Sequence, residues 1–151
     1  MDEATLAAVR EELAQIAQAV ADIVEIEERI RGASDDRALI ESASMRLHSF
    51  YNGIERCLER IVREFEGLTD DGGGWHKKLL TQAAREVPGF RRALFSDQHV
   101  ARLDRFRAFR HFVRHGYAFH LDRQQIEPLL RDAPEVWALI EPQIRAFLDA
   151  L

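Results

Sequence analysis

The chain has 151 residues and a hydrophobic fraction of 46%, which is sufficient for one domain with its own core. No apolar run approaches the roughly 18–20 residues of a membrane span, and the single cysteine, Cys57, excludes an internal disulfide and a zinc knuckle. The acidic N-terminus, from Asp2 onward, is not typical of a signal peptide. We expect one cytoplasmic domain over residues 1–151, without membrane association and with Cys57 in the core.

The charge is unevenly distributed along the chain. The net charge of −5 argues against a general nucleic-acid-binding protein. Residues 1–70 carry 8 Lys/Arg and 16 Asp/Glu, whereas residues 71–151 carry 13 and 10. Within residues 100–123 there are six Arg and two Asp. Because the basic residues are concentrated in one segment, they indicate a localised site rather than a basic surface over the whole protein.

Apolar residues at alternating steps of three and four predict two long helices, over about 3–31 and 36–66. The short break between them, which begins at Gly32, makes these helices antiparallel neighbours. Gly53 lies inside the second helix, where glycine costs about 1 kcal/mol relative to alanine. We attribute it to close packing, while spacing alone places neither Asn52 nor Glu55 in a site.

The second half of the chain also has a helical pattern. The glycine-rich segment Gly67–Gly74 is a predicted loop, and a third helix follows over 75–86 and ends before Pro88-Gly89. Trp75 is expected to anchor a core or an interface. The sequence around His76 assigns no role to that residue. A central helix is predicted over about 97–117, then a short helix from Asp122 or Arg123 that Pro134 interrupts, and a last helix over 134–150. No strand pattern occurs, so the sequence predicts an all-α up-and-down bundle of about five helices.

The central helix has two different faces. At 100° per residue, one arc is apolar and suits a core: Leu103, Phe106, Phe109, Phe112 and Val113. The opposite arc is cationic and carries two histidines: Arg107, Arg110, His111, Arg114 and His115. Packing requires the first arc and does not explain the second.

The cationic arc has the residue types for phosphodiester chemistry without a metal. Imidazoles titrate near neutral pH and can take a proton from a ribose 2′-OH or give one to the leaving oxygen. An arginine can hold the phosphate and stabilise transition-state charge. A solvated cationic face is the simpler alternative.

Two further interpretations concern the same arc. His111 and His115, four residues apart, could bind Zn²⁺, but a third ligand is required and Arg107 and Arg114 would repel the cation. Asp104 could orient His111 or pair with Arg107 at i+3, and spacing favours the pairing. We expect no metal and no cofactor.

The segment from Arg110 to Tyr117 resembles the R-x4-H-x-Y signature of HEPN ribonuclease toxins of the HepT type. His111 fits the polar residue that follows the arginine in this signature. The resemblance extends to Ser49–Arg56, to Trp75-His76, and to Leu121-Asp122 with Val136-Trp137, and thus covers nearly the whole chain.

The resemblance implies a homodimer in which two motif helices form a composite cleft. It implies that Arg110 and His115 are the catalytic pair of a metal-independent ribonuclease, with tRNA as substrate. Arg107, His111, Arg114 and Asp104 would support the site or contact RNA.

The family also implies a partner, a minimal nucleotidyltransferase antitoxin that adenylylates Tyr117. The AMP group would block phosphate entry by charge and bulk. The alternative is a catalytically inactive HEPN dimer that binds RNA or the nucleotidyltransferase.

Overall fold

The computed structural model describes residues 1–33, 35–66, 74–116 and 121–151. These residues form five α-helices, and the prediction of an all-α bundle of about five helices is confirmed. The helices are α1 (Glu3–Gly32), α2 (Arg37–Glu66), α3 (Trp75–Ala83), α4 (Val100–Arg114) and α5 (Arg123–Leu148). A 3₁₀ turn, Asp97–His99, precedes α4. No described helix has the length and apolar composition to cross a membrane.

Helices α1 and α2 are antiparallel, as predicted. Their cross-helix ion pairs run in opposite directions along the chain, because Glu12 pairs with Arg56 at 2.6 Å and Asp22 with Arg46 at 4.0 Å. A Cβ atom on Gly53 would lie 2.7 Å from Cγ1 of Ile16. The predicted packing role of Gly53 is therefore confirmed, and its close neighbour is a side chain of α1.

Helix α5 corrects one prediction. Pro134 does not interrupt it, and α5 continues through Pro128, Pro134 and Pro142. A proline inside a helix removes a hydrogen bond and typically costs about 3 kcal/mol. Buried residues on both sides of Pro134, from Leu130 to Trp137, keep the same face of α5 in the core. We attribute the continuity of α5 to this packing, which outweighs the local preference of proline.

The core fixes the orientation of α4. Leu103, Phe106 and Phe109 are buried, and the ring of Phe106 meets Phe50 of α2 edge-to-face at 5.3 Å. Phe112 and Val113 are partly buried, so the predicted apolar arc faces the core. Cys57 is also buried, as expected, and burial raises the pKa of its thiol to about 12.

The ends of two predicted helices differ from the structure. Helix α3 ends at Ala83, three residues early, and a turn with Gly89 at φ +81° links Val87 to Arg91. Helix α4 ends at Arg114 rather than near 117, with His115 as its C-cap and Gly116 at φ +80°. Such a left-handed glycine is a common helix stop.

Candidate active site

The polar arc of α4 lines a cavity of about 360 Å³ at the N-terminal end of α3. The structure brings five of the predicted site residues to it: Arg107, Arg110, His111, Arg114 and His115. Gly74, His76 and Lys77 complete the lining. The cavity is strongly cationic, because no Asp or Glu is among these eight residues.

Two residues of α2 hold Arg110 in place. Its Nε donates to Oδ1 of Asn52 at 2.5 Å, and its Nη2 lies 3.2 Å from Oε1 of Glu55. Glu55 is buried, and only 13% of the Arg110 side chain is exposed. These contacts use two of the three guanidinium nitrogens. Among the described residues Nη1 has no hydrogen-bond partner, so its two N–H groups can bind an anion.

Glu55 also connects α2 with α3. Its second oxygen, Oε2, lies 2.7 Å from Nδ1 of His76. The ring of Trp75 lies against that of His76, with centroids 3.8 Å apart. One buried carboxylate therefore joins the arginine of α4 to an imidazole of α3.

His115 is fixed by the end of its own helix. Its Nδ1 lies 2.8 Å from the main-chain oxygen of His111 and must donate to it, since a carbonyl oxygen only accepts. The rings of His111 and His115 are 4.0 Å apart. Nearby positive charge, above all that of a protonated His115, lowers the pKa of His111.

Asp104 pairs with Arg107, with a distance of 2.6 Å between Oδ1 and Nε. The pairing that the spacing favoured is therefore the one that forms, and Asp104 does not line the cavity. Arg107 is thereby partly neutralised, whereas Arg114 and His115 are exposed.

A second cavity, of about 600 Å³, shares His76, Arg110 and Arg114 with the first. His48 lines it, and the Nδ1 atom of His48 is buried without a partner among the described residues. Burial, followed by the charges of Arg110 and Arg114, lowers the pKa of His48. Beside Glu55, burial raises the pKa of Tyr51 well above its usual range.

The sequence alone missed the residues of α2 and α3 that complete the site. Asn52, Glu55 and His76 contact or face Arg110 only because the fold brings three helices together. The sequence carried two local signals. The costly glycine at position 53 marks a tightly packed stretch of α2, and the family resemblance extends over Ser49–Arg56 and Trp75-His76. Tyr117 lies outside the described residues. In the described part of the chain, no three His, Cys, Asp or Glu side chains cluster as metal ligands.

The fold is an all-α bundle, and its candidate site is a cationic cavity that contains an Arg–His pair. Residues 42–151 match the family of HepT-like proteins, and the chain belongs to that family. The bundle is therefore HEPN-like. Comparisons with curated proteins and with solved structures found no match. The family match begins inside α2, and a single domain over residues 1–151 stays a prediction.

Proposed function

We propose that this chain is the toxin of a HEPN toxin–antitoxin module, and that it cleaves RNA without a metal ion. The observation that carries the proposal is the presence of Arg110 and His115 in one cationic cavity. Family membership supports a toxin-type function. By the same family resemblance, tRNA is the proposed substrate.

The geometry suits the two proposed catalytic roles. The Nη1 group of Arg110 can donate two hydrogen bonds to a phosphate, while Asn52 and Glu55 hold the rest of the guanidinium. Because Nδ1 of His115 donates to a carbonyl, Nε2 is the nitrogen left to exchange a proton with RNA. A phosphate-binding arginine and an imidazole that can exchange a proton are two of the groups that transesterification at phosphorus uses.

Cationic side chains extend beyond this pair and support RNA as the ligand. A third cavity, of about 610 Å³, runs along α3 and shares Gly74 and Lys77 with the first. Lys77, Lys78 and Arg85 line it. The phosphates flanking the cleaved bond can be neutralised along this surface, by the electrostatic attraction common to nucleic-acid-binding proteins.

We further propose a homodimer in which the exposed end of the polar arc, His111, Arg114 and His115, faces its copy across a two-fold axis. Sedimentation at micromolar concentration should give twice the 17.4 kDa chain mass. A monomer alone would contradict the composite cleft.

The proposed partner is a minimal nucleotidyltransferase antitoxin that adenylylates Tyr117. Incubation with the partner and ATP should add one or more AMP masses to the chain, and Tyr117→Phe should remain unmodified. Modification of that variant would place the acceptor elsewhere.

The second candidate is a catalytically inactive HEPN dimer that binds RNA or the nucleotidyltransferase. The ion pair between Arg110 and Glu55 favours it, because it neutralises part of the charge available to a phosphate. Cleavage of RNA in EDTA separates the two: the wild type should cut, and Arg110→Ala and His115→Ala should not. If the wild-type protein cleaves RNA no better than the two variants, the ribonuclease proposal fails and the binding function is the one that remains.

A further inference from the structure

A second anchored imidazole, that of His76, lines the same 360 Å³ cavity as Arg110 and His115. Its Nδ1 lies 2.7 Å from Oε2 of Glu55. An ionised carboxylate only accepts hydrogen bonds, so Nδ1 of His76 donates, and the neutral ring has its free lone pair on Nε2. This is the tautomer that a proton acceptor requires.

His76 and His115 are held alike but by different acceptors. Each donates from Nδ1, His76 to a buried carboxylate and His115 to the main-chain oxygen of His111. Within the described part of the chain, Nε2 of each ring has no hydrogen-bond partner. A carboxylate stabilises an imidazolium by its full charge, and a carbonyl only by its dipole. Of the two rings, His76 is therefore the one whose protonated form has an ionic partner.

We propose that His76 is the general base of RNA cleavage, that Glu55 is its positioning residue, and that His115 is the general acid. This inference rests on the proposed ribonuclease function. Nε2 of His76 takes the proton of the 2′-OH as the O2′–P bond forms. The P–O5′ bond breaks and His115 gives its proton to O5′, so the products are a 2′,3′-cyclic phosphate and a 5′-hydroxyl.

Titratable and charged groups from three helices line the two cavities to which His76 contributes. Those on α2 are His48, Glu55, Arg56 and Glu59. Those on α4 are Arg107, Arg110, His111, Arg114 and His115, and Lys77 follows on α3 itself. Of the two carboxylates, Glu55 is the one within ion-pair distance, with 2.7 Å between its Oε2 and Nδ1 of His76.

The catalytic test uses two variants of His76. Asparagine can keep an N–H donor to Glu55 but cannot take the proton, whereas alanine removes both. We expect His76→Asn and His76→Ala to lose about 10²–10⁴-fold in kcat/KM alike, with RNA binding retained and the acidic limb of the pH–rate profile lost. Wild-type kcat/KM in His76→Asn would show a structural role and overturn the proposal.

A substrate with sulfur in place of the bridging O5′ separates the base from the acid, because sulfur leaves without a proton. Such an RNA should restore cleavage by His115→Ala and not by His76→Asn. Rescue of His76→Asn instead would overturn the assignment of His76 as the base. If the wild type is inert, or if His115→Ala is fully active, the proposed function itself fails, which is a different outcome.

One measurement does not depend on activity. Imidazole ¹⁵N NMR of the wild type at alkaline pH should show the neutral ring of His76 with its proton on Nδ1. Glu55→Gln, whose fold is checked by circular dichroism, should reduce that preference. A wild-type ring with its proton on Nε2 would contradict the role of Glu55.

Discussion

The carboxylate of Glu55 lies 3.2 Å from Nη2 of Arg110, and both side chains are nearly buried, with 7% and 13% of their areas exposed. Both side chains line the 600 Å³ cavity, although most of their surface is buried. This pair therefore belongs both to the fold, since it joins two helices, and to the candidate site, since Arg110 lines the cationic cavity.

Removing Glu55 should destabilise the protein. We expect Glu55→Ala to lower the free energy of unfolding by about 3 kcal/mol, because the charge of Arg110 stays behind, mostly buried and without its partner. Urea denaturation measures this loss. The control is Glu59→Ala, one turn further along α2, whose partner Arg63 is 57% exposed. It should cost less than about 1 kcal/mol, and equal losses in both variants would contradict the special role of Glu55.

Two glycine-to-alanine changes should have opposite effects on stability. Gly53→Ala forces a Cβ to 2.7 Å from Ile16, so we expect a loss of about 1–3 kcal/mol despite the better helix propensity of alanine. Gly32→Ala, at the end of α1, meets no atom within 4 Å and should be neutral or stabilising by up to about 1 kcal/mol. Thermal or urea unfolding measures the stability of both variants. An increase in the free energy of unfolding in Gly53→Ala would show that α1 shifts to make room for the Cβ.

The helices and the polar arc could be predicted from the sequence because periodicity is a local property. Leu103, Phe106 and Phe109 occupy the core as their spacing predicts, and His111 and Arg114 stay outside it. The predicted break at Pro134 was wrong because the packing on both sides of that residue, which holds α5 together, is a tertiary effect that the local sequence does not show. The roles of Asn52 and Glu55 could not be predicted, since their partner Arg110 is 58 and 55 residues away in the chain. The assignment of Arg110 and His115 to catalysis came from family resemblance and not from spacing.

His48 should make stability fall in mildly acidic solution. Its folded pKa lies below the ordinary histidine value of 6.5, chiefly through burial and then through the charges of Arg110 and Arg114. The unfolded chain therefore binds more protons in this window, and stability present above about pH 6.5 is lost as the pH falls through the folded pKa. We expect unfolding free energies between pH 7.5 and 5 to decline less steeply in His48→Gln than in the wild type. Parallel declines would show that His48 does not contribute.

Arg114 should contribute to RNA affinity through charge. It is exposed and lines both cavities beside Arg110. Arg114→Ala should weaken binding of unrelated RNAs to a similar extent and reduce the slope of log K against log salt by about 1. The control Arg29→Ala, on an exposed position of α1 that lines neither cavity, should leave the slope unchanged. Equal slopes in wild type and Arg114→Ala would remove Arg114 from the RNA-binding surface.

The central claim is that Arg110 and His115 cleave RNA through the 2′-hydroxyl without a metal. The most direct measurement follows one RNA oligonucleotide, and its analogue with 2′-deoxyribose at the cleaved position, in the presence of EDTA. The wild type should cut the RNA and spare the analogue, and Arg110→Ala and His115→Ala, shown to be folded, should cut neither. Cleavage that requires a divalent ion, that proceeds on the 2′-deoxy analogue, or that survives in both variants would contradict the claim.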